Sequence, residues 1–322
     1  MISLRYHIVS LVAVFLALAL GIVVGSTVLQ EGTVSVLRAT SERVRQESEQ
    51  NRAANLTLEQ EQARLREFAA AALPDLVRDR LKDRPVVLLD TDRADGGARD
   101  QVSRVLQAAG AEVDGRVTFN AGRLALTADG DREALGRLLP GVNATDATQL
   151  RAELVRRVAE RLGAPARLPR EDPDRRNDLL TNLDDGGFLA DLRVEAPFTD
   201  AGEAFPRAGS IFVLIGPSDA AALPPEAFLV PLADHVSSRV TGPVAGVEAM
   251  AAGTPPTVSW VEALRGQRVV IRRVSGVDDV DTPYGQLALV GALERELRDL
   301  PTGQYGVKRG SSTLLPERAP AS

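Results

Sequence analysis

Residues 8 to 29 read IVSLVAVFLALALGIVVGSTVL, with no charged side chain and only Ser10, Ser26 and Thr27 as polar members. At about 1.5 Å per helical residue this run of roughly 22 residues reaches about 33 Å, enough to cross a hydrocarbon core of about 30 Å. A chain that starts this way is organised around a membrane. The run is longer than an ordinary signal-peptide core of about 7–15 residues, although Gly25 and Ser26 leave cleavage open as an alternative. Arg5 and the amino terminus precede the run, whereas Arg38, Arg43 and Arg45 are the first basic residues after it. This favours a cytoplasmic N-terminus over 1–7 and an extracytoplasmic remainder. Ala17, Gly21 and Gly25 recur every four residues, which sets small side chains on one helix face.

Between Gly32 and Pro74 there is neither Gly nor Pro, and Glu, Gln, Arg, Ala and Leu dominate. These are strong helix formers, and Arg38/Glu42, Arg43/Glu47 and Arg45/Glu49 are spaced to meet on a helix surface. A heptad register fits, with Val34, Ser41, Ser48, Asn55, Gln62 and Ala69 at a, and Leu37, Val44, Asn51, Leu58, Leu65 and Ala72 at d. Residues 30–74 are therefore expected to form a coiled-coil stalk, as a homodimer, whose polar centre fixes register. Such a stalk would hold the later domain up to about 60 Å from the bilayer. The competing reading is a lone amphipathic helix lying on its own domain.

Residues 84–307 carry α/β signals. VVLLD at 86–90 reads as a buried strand, a helix follows through Val102, Val105, Leu106 and Ala109, and Gly110 ends it before a strand over 112–119. This strand–helix–strand unit predicts a parallel, Rossmann-like sheet. Further expectations are a helix over 151–162, a loop over 163–177, a strand over 210–215, and a helix over 225–238 with a possible break at Pro231. Strands over 242–247 and 267–274, a short helix over 258–264 and a closing helix over 284–297 complete the set. Residues 308–322 read as a disordered tail.

Candidate chemistry is sparse. Net charge is −6 and there is no cysteine, which excludes disulfides and argues against nucleic acid. Asp90 and Asp92 end the first strand, where Asp-x-Asp can serve phosphoryl transfer with Mg²⁺. That chemistry also needs a cation at the phosphoryl group, and the only lysines are Lys82 and Lys308. Turn formation or helix capping is the plainer role. Asp278, Asp279 and Asp281 are an acidic cluster with Ca²⁺-like chemistry, yet Thr282-Pro283 follows, and an N-cap with Pro at the first helical position explains it better. Asp234, His235 and Ser237 are too close in a helix to form a triad. Gly96-Gly97 and Gly216-Pro217 are isolated and make no phosphate-binding loop. The expectation is a non-enzyme with no catalytic, cofactor or metal residues.

The N-terminal MISLRYHIVSLVAVFLALALGIVVGS and the C-terminal VDDVDTPYGQLALVGALERELRDLPTGQYG resemble the actinobacterial mycobacterial copper transport protein B (MctB) family along the whole chain. The resemblance implies an anchor, a helical stalk, an α/β domain and copper passage or efflux through the envelope, at the outer membrane in the family's own description. It also implies an alternative role, a scaffold that regulates a peptidoglycan hydrolase in cell separation. The residues offer copper little: Cu(I) favours thiolate and thioether, Cu(II) favours imidazole, and the chain has only Met1, Met250, His7 and His235, widely scattered. Twelve aromatic residues in all are few for the girdles of an outer-membrane barrel.

Overall fold

The structure is a computed structural model that describes residues 4–143, 145–166, 178–194, 204–217, 223–249 and 259–318. Two compact units divide the chain, residues 1–65 and 66–322.

Helix α1 spans Leu4–Val77 and supplies all of the first unit that is described. Its segment Tyr6–Gly25 has a mean hydropathy of 2.9 and is wholly exposed, so it is apolar and long enough to cross a membrane. The helix runs through Pro74, three residues past the expected stop. Proline removes one hydrogen bond from a helix interior, and burial compensates here: Leu73 and Val77 pack with Leu81 into the core of the second unit.

That unit is a seven-stranded sheet in the order β3-β2-β1-β4-β5-β6-β7. The strands are β1 (Pro85–Thr91), β2 (Glu112–Phe119), β3 (Leu189–Val194), β4 (Ile211–Ile215), β5 (Val244–Val247), β6 (Ser275–Val277) and β7 (Gln304–Tyr305). All neighbours are parallel except β3, which pairs antiparallel with β2. The chain order reverses between β1 and β4, as in doubly wound sheets.

Continuous apolar runs make strands that are buried on both faces. Val86 and Leu88 face one layer, with the end of α1, α2 (Gly96–Ala108) and α9 (Pro283–Glu296). Val87 and Leu89 face the other, built from α3 (Ala121–Leu124), α4 (Asp129–Leu138), α5 (Ala147–Gly163), α6 (Leu179–Asp185), α7 (Leu229–Arg239) and α8 (Trp260–Arg265).

Several elements depart from expectation. Asp95-Gly96-Gly97 read as a break in the chain, yet α2 begins at Gly96, because Asp95 caps it by accepting from Ala98 N at 2.7 Å. The strand expected over 267–274 is a 3-10 turn at Val270–Arg272, and β6 starts only at Ser275. Val270 and Val274 are both buried, four residues apart, and Val274 N donates to Val270 O at 2.9 Å: the spacing was helical. Pro231 does not break α7, since it lies in the first turn, where an N–H has no helical partner. The short elements α3, α4, α6, β3 and β7 had no sequence signal. Of the expected loop at 163–177, residues 167–177 lie outside the described residues. So do the last four residues of the expected tail. The rest of that tail carries defined contacts: Arg295 donates to Glu317 O at 3.2 Å, and Tyr305 bridges Thr313.

Candidate functional site

Ligands of open α/β sheets bind beyond the carboxyl ends of the strands, at the point where strand order reverses. Here that point lies between Asp90 of β1 and Ile215 of β4, which are register partners. It is closed by the chain's own residues. Ala94 bridges Pro217 across it. The indole of Trp260 lies on Gly216, where a Cβ would fall 1.7 Å from its Cδ1. Trp260 Nε1 donates to Val247 O at 2.8 Å.

Asp90 is fully buried and forms an ion pair with Arg99 of α2 at 2.5 Å. Burial pushes its carboxyl above the ordinary value, against the pull of Thr118 and Arg99. Asp92 accepts from Ala121 N at 3.0 Å and so holds the start of α3. The two aspartates therefore serve different partners. His235 is on α7 with Asp234, which pairs with Arg273 at 2.5 Å, while Ser237 donates to Asp234 O at 2.9 Å. Met1 and Met250 lie outside the described residues. Among the described residues no three of His, Cys, Asp and Glu are grouped to hold a metal.

A dense polar cluster sits at the carboxyl ends of β5 and β6. Asp278, fully buried, accepts from Arg265 Nη1 at 2.8 Å, Val307 N at 2.8 Å and Lys308 N at 3.1 Å. Glu248 accepts from Lys308 Nζ at 2.7 Å and Val261 N at 3.2 Å, and also from Ser259 Oγ. Gly306 has φ +126 and packs on Asp278, where a Cβ would lie 2.0 Å from Oδ1. The GQYGVK stretch is therefore clamped onto the VDDVD stretch by one carboxylate.

The sequence read Asp278–Asp281 as the cap of the last helix. Thr282 does cap α9, accepting from Gly285 N at 3.2 Å with Pro283 first in the helix. Asp278 has the separate role above, which no local pattern signals: its partners lie 13 and about 30 residues away. Burial raises Asp278, but Asp279, the Val307 N–H and Arg265 hold it below the usual carboxylate range. Asp279 has φ 59, is fully buried and lacks a partner at Oδ1. Burial, and then Asp278 beside it, push it up to about 7.

At the other end of β6, burial also pushes Glu296 up to about 7, against Ser275 and the Val244 N–H. Ser275 Oγ donates to it at 2.5 Å. A raised carboxyl favours the folded state while protonated, and this contribution fades as pH rises through about 7. Stability should fall between pH 5 and pH 8 by on the order of 1–3 kcal/mol for Glu296, and Glu296→Gln should flatten that slope. Urea titrations at the two pH values measure it; an equal slope in the variant would refute the assignment.

The fold and site define a class: an α/β protein with a filled switch point, a clamped C-terminal segment and an apolar N-terminal helix long enough to cross a membrane. The family follows from comparison. The profile described as "Copper transport outer membrane protein, MctB" matches residues 1–316, and the chain belongs to that family. It is 29% identical to "Copper transporter MctB" of Mycobacterium leprae over 331 residues, covering 98% of this chain and 99% of the relative. It is 24% identical over 323 residues to the proteins of that name in Mycobacterium bovis and in Mycobacterium tuberculosis H37Rv, with the same coverage.

Proposed function

We propose that this chain is a single-pass envelope protein with a role in copper transport or efflux, and that it acts without catalysis. The family match over nearly the whole length carries this reading. The N-terminus is cytoplasmic, residues 8–29 span the cell membrane, a stalk over 30–74 pairs two copies, and the α/β domain is extracytoplasmic. An α-helical anchor suits the cell membrane, because spanning sheets close into barrels. The seven strands here form an open order with helices on both faces. The filled crevice at Trp260 and the separate tasks of Asp90 and Asp92 favour binding or scaffolding over turnover.

Two measurements test this. Deleting the gene should raise copper sensitivity and cell-associated copper, and the full chain should restore both. Normal copper handling with a defect in cell separation, together with co-purification of a peptidoglycan hydrolase, would replace the reading with the scaffold role. A competition titration should show Cu(I) bound no more tightly than scattered thioether and imidazole groups allow. Stoichiometric sub-nanomolar binding would show that the chain holds the metal itself.

A further inference from the structure

The face of α1 that carries the heptad d residues is exposed: Leu37 by 71%, Val44 by 58%, Leu58 by 55% and Leu65 by 67%. These four apolar d residues flank Asn51, the polar d residue at the centre of the row, and apolar side chains at heptad spacing on an uncovered helix are a seam for another helix. The residues beside the seam say which helix fits.

In the register with d at those positions, g falls on Thr40, Glu47, Ala54 and Glu61, and e falls on Arg45, Arg52, Glu59 and Arg66. In a parallel, in-register pair, each g residue faces the e residue five positions later in the partner helix. Glu47 of each copy then faces Arg52 of the other, and Glu61 faces Arg66. The remaining two combinations, Thr40 with Arg45 and Ala54 with Glu59, oppose no like charges. A slip of one heptad keeps one attractive contact, Glu47 with Arg45, but sets Glu47 against Glu59 along one side and Glu61 against Glu59 along the other. Glu47, Arg52, Glu61 and Arg66 are all exposed on α1. The charges therefore give two opposite pairs and no like pair on each side at one register, and more like than opposite contacts at the next.

We infer that the exposed face of α1 over residues 37–66 docks the same segment of a second copy, parallel and in register, with Glu47–Arg52 and Glu61–Arg66 as the pairs that fix the register. This deepens the stalk reading proposed above and rests on it, since two copies anchored in one membrane leave it in the same direction. The apolar d residues provide the attraction, and the charges choose the alignment, because exposed pairs are weak individually but like-charge contacts oppose the neighbouring register.

The chain has no cysteine, so one introduced thiol reports one position. Full-length Val44→Cys and Leu65→Cys at d, and Gln46→Cys and Gln60→Cys at the outward f position, are expressed in membranes and mildly oxidised with diamide. Both d variants should give a disulfide-linked dimer at least tenfold above the f variants. An antiparallel pair brings identical residues together only at its centre, so it cannot link both position 44 and position 65. In the Leu65→Cys background, Glu61→Arg should reduce linkage several-fold, and adding Arg66→Glu should restore it. Linkage at only one d position, or no response to the charge changes, would overturn the register while leaving a dimer. Equal linkage at d and f would overturn the seam. No dimer from any variant inserted in the membrane would overturn both the inference and the stalk reading. Linkage to a protein of different mass would assign the seam to a foreign helix instead.

Discussion

Replacing Trp260 by alanine should lower the unfolding free energy by about 3–5 kcal/mol, the range for removing a large buried aromatic. Trp260 is fully buried and ties one helical layer to the end of the sheet. Its ring packs in the core formed with α3–α8, and its Nε1 donates to Val247 O at the end of β5. Alanine leaves a cavity, and Val247 O keeps only Gly216 N at 2.9 Å. The same ring occupies the space where doubly wound sheets admit a nucleotide. Trp260→Ala should thus open a crevice at the switch point without creating a phosphate-binding loop, since Gly96-Gly97 after β1 belong to no GxGxxG or P-loop pattern. Gly216→Ala tests the same contact from below, because its Cβ would overlap the ring. Far-UV circular dichroism in urea is the suitable measurement, as Trp260 is the only tryptophan and cannot report its own removal. A loss below about 1 kcal/mol in both variants would show that the ring is not a fixed plug.

How far the fold could be read in advance depended on how local each signal was. The apolar run at 8–29 and the strands at 86–90, 112–119 and 211–215 are set by composition over a few residues, and these fall where expected. β6 lies later than the pattern suggests, because Val270 and Val274 mimic a strand in composition while their spacing is that of a turn. β3 and β7 are edge strands whose pairing partners are far away in sequence; β7 has only two residues. The chemistry divides in the same way. Thr282-Pro283 announces a helix start by itself. Nothing near Asp278 announces Arg265, Val307 and Lys308, because their meeting depends on β6 and β7 lying side by side. The acidic run looked like a cap or a cation site, and one of its members turned out to be the anchor of the C-terminal segment. The exposed seam of α1 is legible only as periodicity, and its proposed partner needs a second chain.

Removing that anchor should have the other large effect. Asp278→Ala is expected to destabilise the second unit by about 3–5 kcal/mol, because breaking a buried ion pair leaves an uncompensated charge. The charge left behind is the guanidinium of Arg265, whose side chain is only 3% exposed. Two backbone donors, Val307 N and Lys308 N, lose their acceptor as well. Arg265 keeps its hydrogen bond to Tyr305 O at 2.7 Å, so part of the clamp persists. Arg265→Met should cost a similar amount, since it strands the Asp278 carboxylate. Combining Arg265→Met with Asp278→Leu should cost less than the sum of the two single losses, because no isolated charge then remains and the couple is in direct contact. Asp278→Asn, which keeps the size and one acceptor, should fall between wild type and Asp278→Ala. The clamp also predicts where the protein opens first. Lys308 is itself clamped and Arg309 follows it, so trypsin should cut at these two residues in Asp278→Ala before it attacks the sheet, and should spare them in the wild type. If the single variants unfold at the wild-type urea midpoint and trypsin does not distinguish them, Asp278 is not what holds the C-terminal segment against β6.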